Sequence, residues 1–137
     1  MTVWRDVQEA IYARWLESWG DTSLTQLGNE TFDPPDALWC QLLIQSRPSG
    51  VGTIGKPGNR KMDREGVVFV LLREPPGDGT GNLADKASAA RDVFEGCRFG
   101  PHSLRFNEGD IGEAGDVDSG RWWGVAVEVP FAYEELK

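Results

Sequence analysis

At 137 residues, with a formal net charge of −8 and a pI near 4.6, the chain has the length of one domain, and its negative field excludes wrapping DNA or docking on an anionic membrane. Cys40 and Cys97 are the only cysteines and the start lacks a basic, apolar, small-residue leader, so reduced thiols in a cytoplasm are expected rather than an exported disulfide framework. The longest apolar run, Val67 to Leu72, falls far short of the roughly 20 residues that cross a bilayer.

Residues 3 to 19 set Val3, Val7, Ala10, Ile11, Arg14, Trp15 and Ser18 three and four apart, which predicts an amphipathic helix that begins after Thr2 and stops at Gly20. Residues 21 to 37 carry Gly28, Asn29, Pro34 and Pro35 and read as an irregular connector. Leu38 to Gln45 follows as a strand. From Ser46 to Glu65 the chain is broken by Gly and Pro and holds Arg47, Lys56, Arg60, Lys61 and Arg64, so a long basic loop is expected. Gly66 to Arg73 is apolar at both parities, as a central strand covered on both faces would be.

Leu83, Ala84, Ala87, Ala90, Arg91 and Phe94 repeat at helical spacing before a stop at Gly96. Ser103 to Asn107 reads as a short strand. Glu108 to Gly120, with Asp110, Glu113, Asp116 and Asp118 among glycines, reads as an exposed acidic tip. Val125, Val127, Val129, Phe131 and Tyr133 then alternate with Gly124, Ala126, Glu128 and Pro130, which predicts a strand with one buried face. The expected fold class is α+β: one domain over residues 1–137, in the order α-β-β-α-β-β, with two helices packed on a single four-stranded antiparallel or mixed sheet. Six tryptophans in so short a chain supply large buried surfaces for a core, or anchors for a subunit interface.

The turn Pro75-Pro-Gly-Asp-Gly-Thr-Gly81 between strand and helix invites comparison with a phosphate loop. It lacks the lysine of a P-loop, since no Lys or Arg lies between Glu74 and Lys86, and its third glycine comes one place early for a dinucleotide fingerprint. Asp78 would set a carboxylate beside the phosphates, a repulsion of about 4 kcal/mol at 4 Å in a medium of dielectric near 20. The stretch therefore reads as a corner, with Thr80 or Asn82 capping the next helix.

His102 is the only histidine, the two cysteines lie in different elements, and Asp116-x-Asp118-x-Gly120 lacks the twelfth-position Glu of a calcium loop, so no metal or other cofactor is expected. Cys97 with His102 is the best enzyme-like pair, and a small intracellular enzyme using it is the alternative reading.

The layout as a whole resembles the phage tail terminator-like family. The likeness runs through Arg14-Trp-Leu-Glu-Ser-Trp19, Asn29-Glu-Thr-Phe-Asp-Pro-Pro35 leading to Trp39, Ile54-Gly55, Arg60 before Gly66, and Pro76-Gly-Asp-Gly-Thr-Gly81 with Ala84-Asp85. It closes with Trp122-Trp123 and Val127-Glu-Val-Pro-Phe-Ala-Tyr133. The resemblance implies a non-enzymatic virion protein, assembled in the bacterial host cytoplasm, that forms a homo-oligomeric ring, typically a hexamer, at the neck of the tail. Such a ring caps the tail tube protein, stops its polymerisation and meets a head-completion or connector protein, while DNA passes through the lumen unbound; another neck or tube component is the alternative. A carboxylate-rich conduit suits a sliding polyanion. The basic residues Arg47, Lys56, Arg60, Lys61 and Arg64, the acidic residues Asp110, Glu113, Asp116 and Asp118, and Trp122 and Trp123 are the expected subunit and partner contacts, because opposite patches on one protomer suit a head-to-tail ring.

Overall fold

The structure, a computed structural model, describes residues 2–51, 60–77 and 81–137. Helix α1 (Val3–Trp19) is capped by Thr2, whose Oγ1 accepts the Arg5 N–H at 3.1 Å, and Asp6 sits in its positive first turn. Val7, Ile11, Trp15 and Trp19, four residues apart, form the buried stripe. Arg14 reaches across to the second helix, α2 (Gly81–Phe94), where its Nε donates to the Val93 carbonyl at 3.2 Å. Its guanidinium also lies over the Phe99 ring, 5.2 Å from the centroid. Gly96, in the left-handed region at φ 70°, closes α2 where the sequence has its stop.

The strands are β1 (Leu24–Leu27), β2 (Trp39–Val51), β3 (Lys61–Glu74), β4 (Arg105–Phe106), β5 (Asp110–Ile111), β6 (Gly115–Val117) and β7 (Trp122–Leu136). They make one mixed sheet of seven strands in the order β1-β2-β3-β7, with β4, β5 and β6 following one another along the far edge of β7. Only the β1·β2 pair is parallel.

The four-stranded sheet expected from sequence is thus corrected in two places. β1 lies inside the stretch read as an irregular connector. It is short and held by a turn of side-chain bonds, Leu27 N donating to Glu30 Oε1 at 3.0 Å and Gln26 Nε2 to Glu30 O at 2.8 Å, so no periodicity marks it. The acidic tip is in fact the broken edge β5–β6. From Phe106 to Asp110 the edge spends four residues against three on β7 (Phe131 to Glu128), and from Ile111 to Gly115 again four against three (Val127 to Gly124). Each surplus residue breaks the alternation that a sequence reading depends on, and each bulge blunts an edge open to stray strand pairing.

The expected loop 46–65 is mostly hairpin, because β2 runs to Val51 and β3 begins at Lys61. Pro48 is tolerated there since β1 pairs only with residues 39–42, and a register shift between Arg47 and Gly50 takes up the irregularity. Residues 52–59, Lys56 among them, lie outside the described residues, as does the 78–80 part of the glycine turn. The expected helix cap Thr80 is among these, while Asn82 sits inside α2 rather than capping it.

β3 is central as expected and covered unequally on its two faces, with Val67 buried on the face away from the helices. Val68, Val70 and Leu72 pair with Val129, Val127 and Val125 of β7 and are buried under both helices. Phe69 and Leu71, on the opposite face, stay half-buried with Leu43 and Ala126. On the helix side the core is a chain of rings. Trp15 stacks on Trp19 at 4.7 Å and on Phe94 at 5.9 Å, Phe94 on Phe106 at 5.1 Å, and Phe106 leans on Phe131 at 5.5 Å. The buried indoles of Trp15 and Trp19 are satisfied, donating to Thr25 Oγ1 at 3.0 Å and Ser23 Oγ at 2.9 Å.

Two stability predictions follow from this packing. At Gly66 a Cβ would run into the Phe131 ring and lie 2.7 Å from the Gln45 carbonyl oxygen, so Gly66→Val is expected to cost about 1–3 kcal/mol, read as a drop of about 5 °C or more in melting temperature. Trp15→Ala is expected to cost about 3–5 kcal/mol in urea titrations, whereas Trp15→Phe, which keeps the ring stack and loses the bond to Thr25, forfeits the lost ring area plus about 1 kcal/mol for the bond.

Candidate functional site

The two residues that looked most like an enzyme pair have separate partners. His102 Nε2 lies 3.1 Å from Asp6 Oδ2 of α1, and the His102 carbonyl accepts the Glu134 N–H at 2.8 Å. His102 and Ser103 hold left-handed backbone at φ 62° and 55°, a costly conformation for non-glycine residues, here pinned from both sides. The Cys97 thiol is contacted by Arg14, whose Nη2 donates to Sγ at 3.5 Å, and by the Val93 carbonyl at 3.7 Å. The sequence proximity of Cys97 and His102 does not become a nucleophile-base bond. Among the described residues no group of three or more His, Cys, Asp and Glu could hold a metal ion.

The expected contact residues divide into two ends of the sheet. At one end lie Arg47, exposed on β2, then Arg60, exposed, and Lys61 and Arg64 on β3. Lys61 Nζ stands 2.7 Å from Glu134 Oε1, and Arg64 Nη2 stands 3.0 Å from Glu135 Oε1, so both cations already meet carboxylates of β7. The hydrogen bond and charge of Glu134 raise the Lys61 pKa, and Lys61 in turn holds the Glu134 carboxyl below its usual range. Both pairs are solvent-accessible, so they fix this end of the sheet more by geometry than by energy. Glu134 and Glu135 were not singled out by sequence reasoning. Their signal was the break in alternation after Tyr133, where the strand continues with two adjacent acids.

At the other end, Asp110, Glu113, Asp116 and Asp118 are all exposed along β5, β6 and the turn that follows, opposite residues 122–128 of β7. From there to Glu134 is at least six residues of one continuous strand, or about 20 Å. The acids of the β5–β6 edge therefore lie apart from the cations singled out by sequence, two of which, Lys61 and Arg64, are paired instead with Glu134 and Glu135.

The tryptophans are mostly interior, in the core-filling role that the sequence offers them. Trp122 is buried and meets Trp39 edge-on at 5.6 Å, while Trp123 is half-buried against the core. Around them lies a group of polar atoms that sequence gave no sign of. Trp39 Nε1, Arg73 Nε, Glu74 Oε1 and Trp123 Nε1 are all buried without a hydrogen-bond partner. They lie at one end of the sheet in two pairs on its opposite faces, Arg73 beside Trp39 on one and Glu74 beside Trp123 on the other. Burial lowers the Arg73 pKa, with Asp118 opposing the shift, and the guanidinium covers the Trp39 ring at 5.5 Å.

No family model matches the chain, and no curated protein sequence does. Among the solved structures that match, two are similar over nearly their whole length. One carries no functional description, is 16% identical, matches 95% of this chain and 97% of its own, and superposes with a TM-score of 0.68. The other is a chain of the virion of a native gene transfer agent particle, 16% identical over 98% of both chains, with a TM-score of 0.51. At these identities the likeness establishes a shared fold.

Proposed function

We propose that the chain is a structural subunit of a phage-like virion, and more specifically the ring that ends the tail tube and joins it to the head. The observation that carries the reading is the end-to-end match to a virion chain of a gene transfer agent, 98% of each chain, which makes the whole domain, and not an inserted module, the shared unit. The exposed acids of the β5–β6 edge and the distant, exposed cations Arg47 and Arg60 support self-association, because separated charges of opposite sign on one protomer suit a heterologous, head-to-tail contact that closes into a ring. The net charge of −8 supports a lumen through which DNA slides without sticking. On this reading the neighbours are a second copy of the chain, the last ring of tube protein and a head-completion or connector protein, and the chain acts by shape rather than by turning over a substrate.

The decisive experiment is electron microscopy of particles assembled without this chain. Overlong tubes, or tails that fail to join heads, are the expected result. Tails of normal length attached to filled heads would overturn the reading, and tubes of normal length without heads would move the protein from terminator to another neck component.

A further inference from the structure

We infer that copies of this chain join by inserting Leu136 of one copy into an apolar notch between α2 and the edge segment 111–114 of the next. The inference rests on the ring reading above, and it names the contact that reading needs.

The notch is floored by buried Leu83, Ala87 and Val125 and walled by exposed Ala84, Ile111 and Ala114, and it encloses roughly 180 Å³. Apolar cavities of about 150 Å³ accept benzene, so a leucine side chain fits. Its exposed wall is the edge segment that carries Asp110 and Glu113.

Four large apolar side chains are conspicuously exposed among the described residues: Leu16, Leu24, Ile111 and Leu136. Ile111 belongs to the notch. Leu16 is followed by Glu17 and Leu24 lies close after Asp21, with no cation directly beside either in the chain to draw it to an acidic edge. Leu136 follows Glu134 and Glu135 but also has cations next to it and across the sheet. Leu136, 67% exposed, has cationic neighbours: it pairs across the sheet with Lys61, and Lys137 next to it exchanges backbone hydrogen bonds with Arg60 at 2.8 and 3.3 Å. Glu134, Glu135 and Asp63 offset part of that charge, with Glu134 engaging Lys61 and Glu135 engaging Arg64, which leaves Arg60 and Lys137 as the cations flanking the leucine.

The contact must form between molecules. Val125 and Leu136 lie on one continuous strand, β7, eleven residues apart, so the leucine of a protomer stands about 35 Å from its own notch. A projection at one end and a receptor at the other define a heterologous interface.

The test follows self-association of the full chain by sedimentation velocity, with thermal melts as a control for folding. Leu136→Ala is expected to weaken association at least about tenfold without moving the melt, since the side chain buries little in the free protomer. Reversing the edge with Asp110→Lys and Glu113→Lys is expected to weaken it as well, and adding Arg60→Glu with Lys137→Glu to that variant is expected to restore it. In a Cys97→Ser background, Leu136→Cys with Ala114→Cys is expected to give a ladder of oxidised multimers that neither single variant gives. Rings that assemble undiminished with Leu136→Ala, or without a crosslinked ladder, overturn this contact and leave the ring reading standing. A wild-type chain that stays monomeric at every accessible concentration overturns both.

Discussion

The ladder between β3 and β7 is the constraint on which the remaining structure hangs. It runs without a slip from Lys61↔Leu136 to Glu74↔Trp123, and every other strand is attached to one of its two members directly or through β2. Because the register is unbroken, the alternation of Val68, Val70 and Leu72 against Val129, Val127 and Val125 lays one continuous apolar face under both helices. A slip of one residue would turn that face to solvent. The aromatic chain from Trp15 through Phe94 and Phe106 to Phe131 then fixes α1 and α2 on the sheet, and the Arg14 bridge to Val93 and Phe99 fixes them to each other.

The same ladder separates the charges. With β3 and β7 extended side by side for their full length, the cations near residue 61 and the carboxylates near residue 116 cannot approach one another within a protomer. Lys61 and Arg64 take up Glu134 and Glu135 instead, and the acids of β5 and β6 stay in solvent. An assembling protein benefits from this arrangement, since attraction between unlike ends guides orientation during encounter more than it adds affinity. The bulged edge at β5 and β6 complements it by discouraging indiscriminate strand pairing.

Regular periodicity made much of this legible in the sequence. Both helices, their stops and the strand centred on Val127 follow from spacing, because each buries one face against the same core, and the strand centred on Val68 follows from an unbroken apolar run. What escaped was local structure held by side-chain bonds or by irregularity. β1 is defined by contacts of Glu30 and by Leu42 across the sheet, neither of which has a period. The hairpin through Pro48 and Gly50 looked like a loop because Pro and Gly ordinarily break strands, yet here they fall beside an unpaired stretch of β2 and at a bulge. Of the contact residues, the charge segregation was visible as two clusters of sign, while the burial of Trp122 and the pairing of Lys61 with Glu134 depend on register, which a single sequence does not disclose. Cys97 and His102 show the converse: five positions apart in the chain, they are claimed by different residues of α1.

The position of β7 in chain order also has a consequence for biosynthesis. Of the strands described it comes last in chain order, and β3, β4, β5 and β6 all pair with it. Until residues 122–136 leave the ribosome, the nascent polypeptide holds three paired strands, β1-β2-β3, with the outer side of β3 open, and edge segments β4 to β6 with nothing to pair with. Closure of the β3–β7 ladder then depends on contacts far apart in sequence, so the open side of β3 stays exposed until the chain reaches β7.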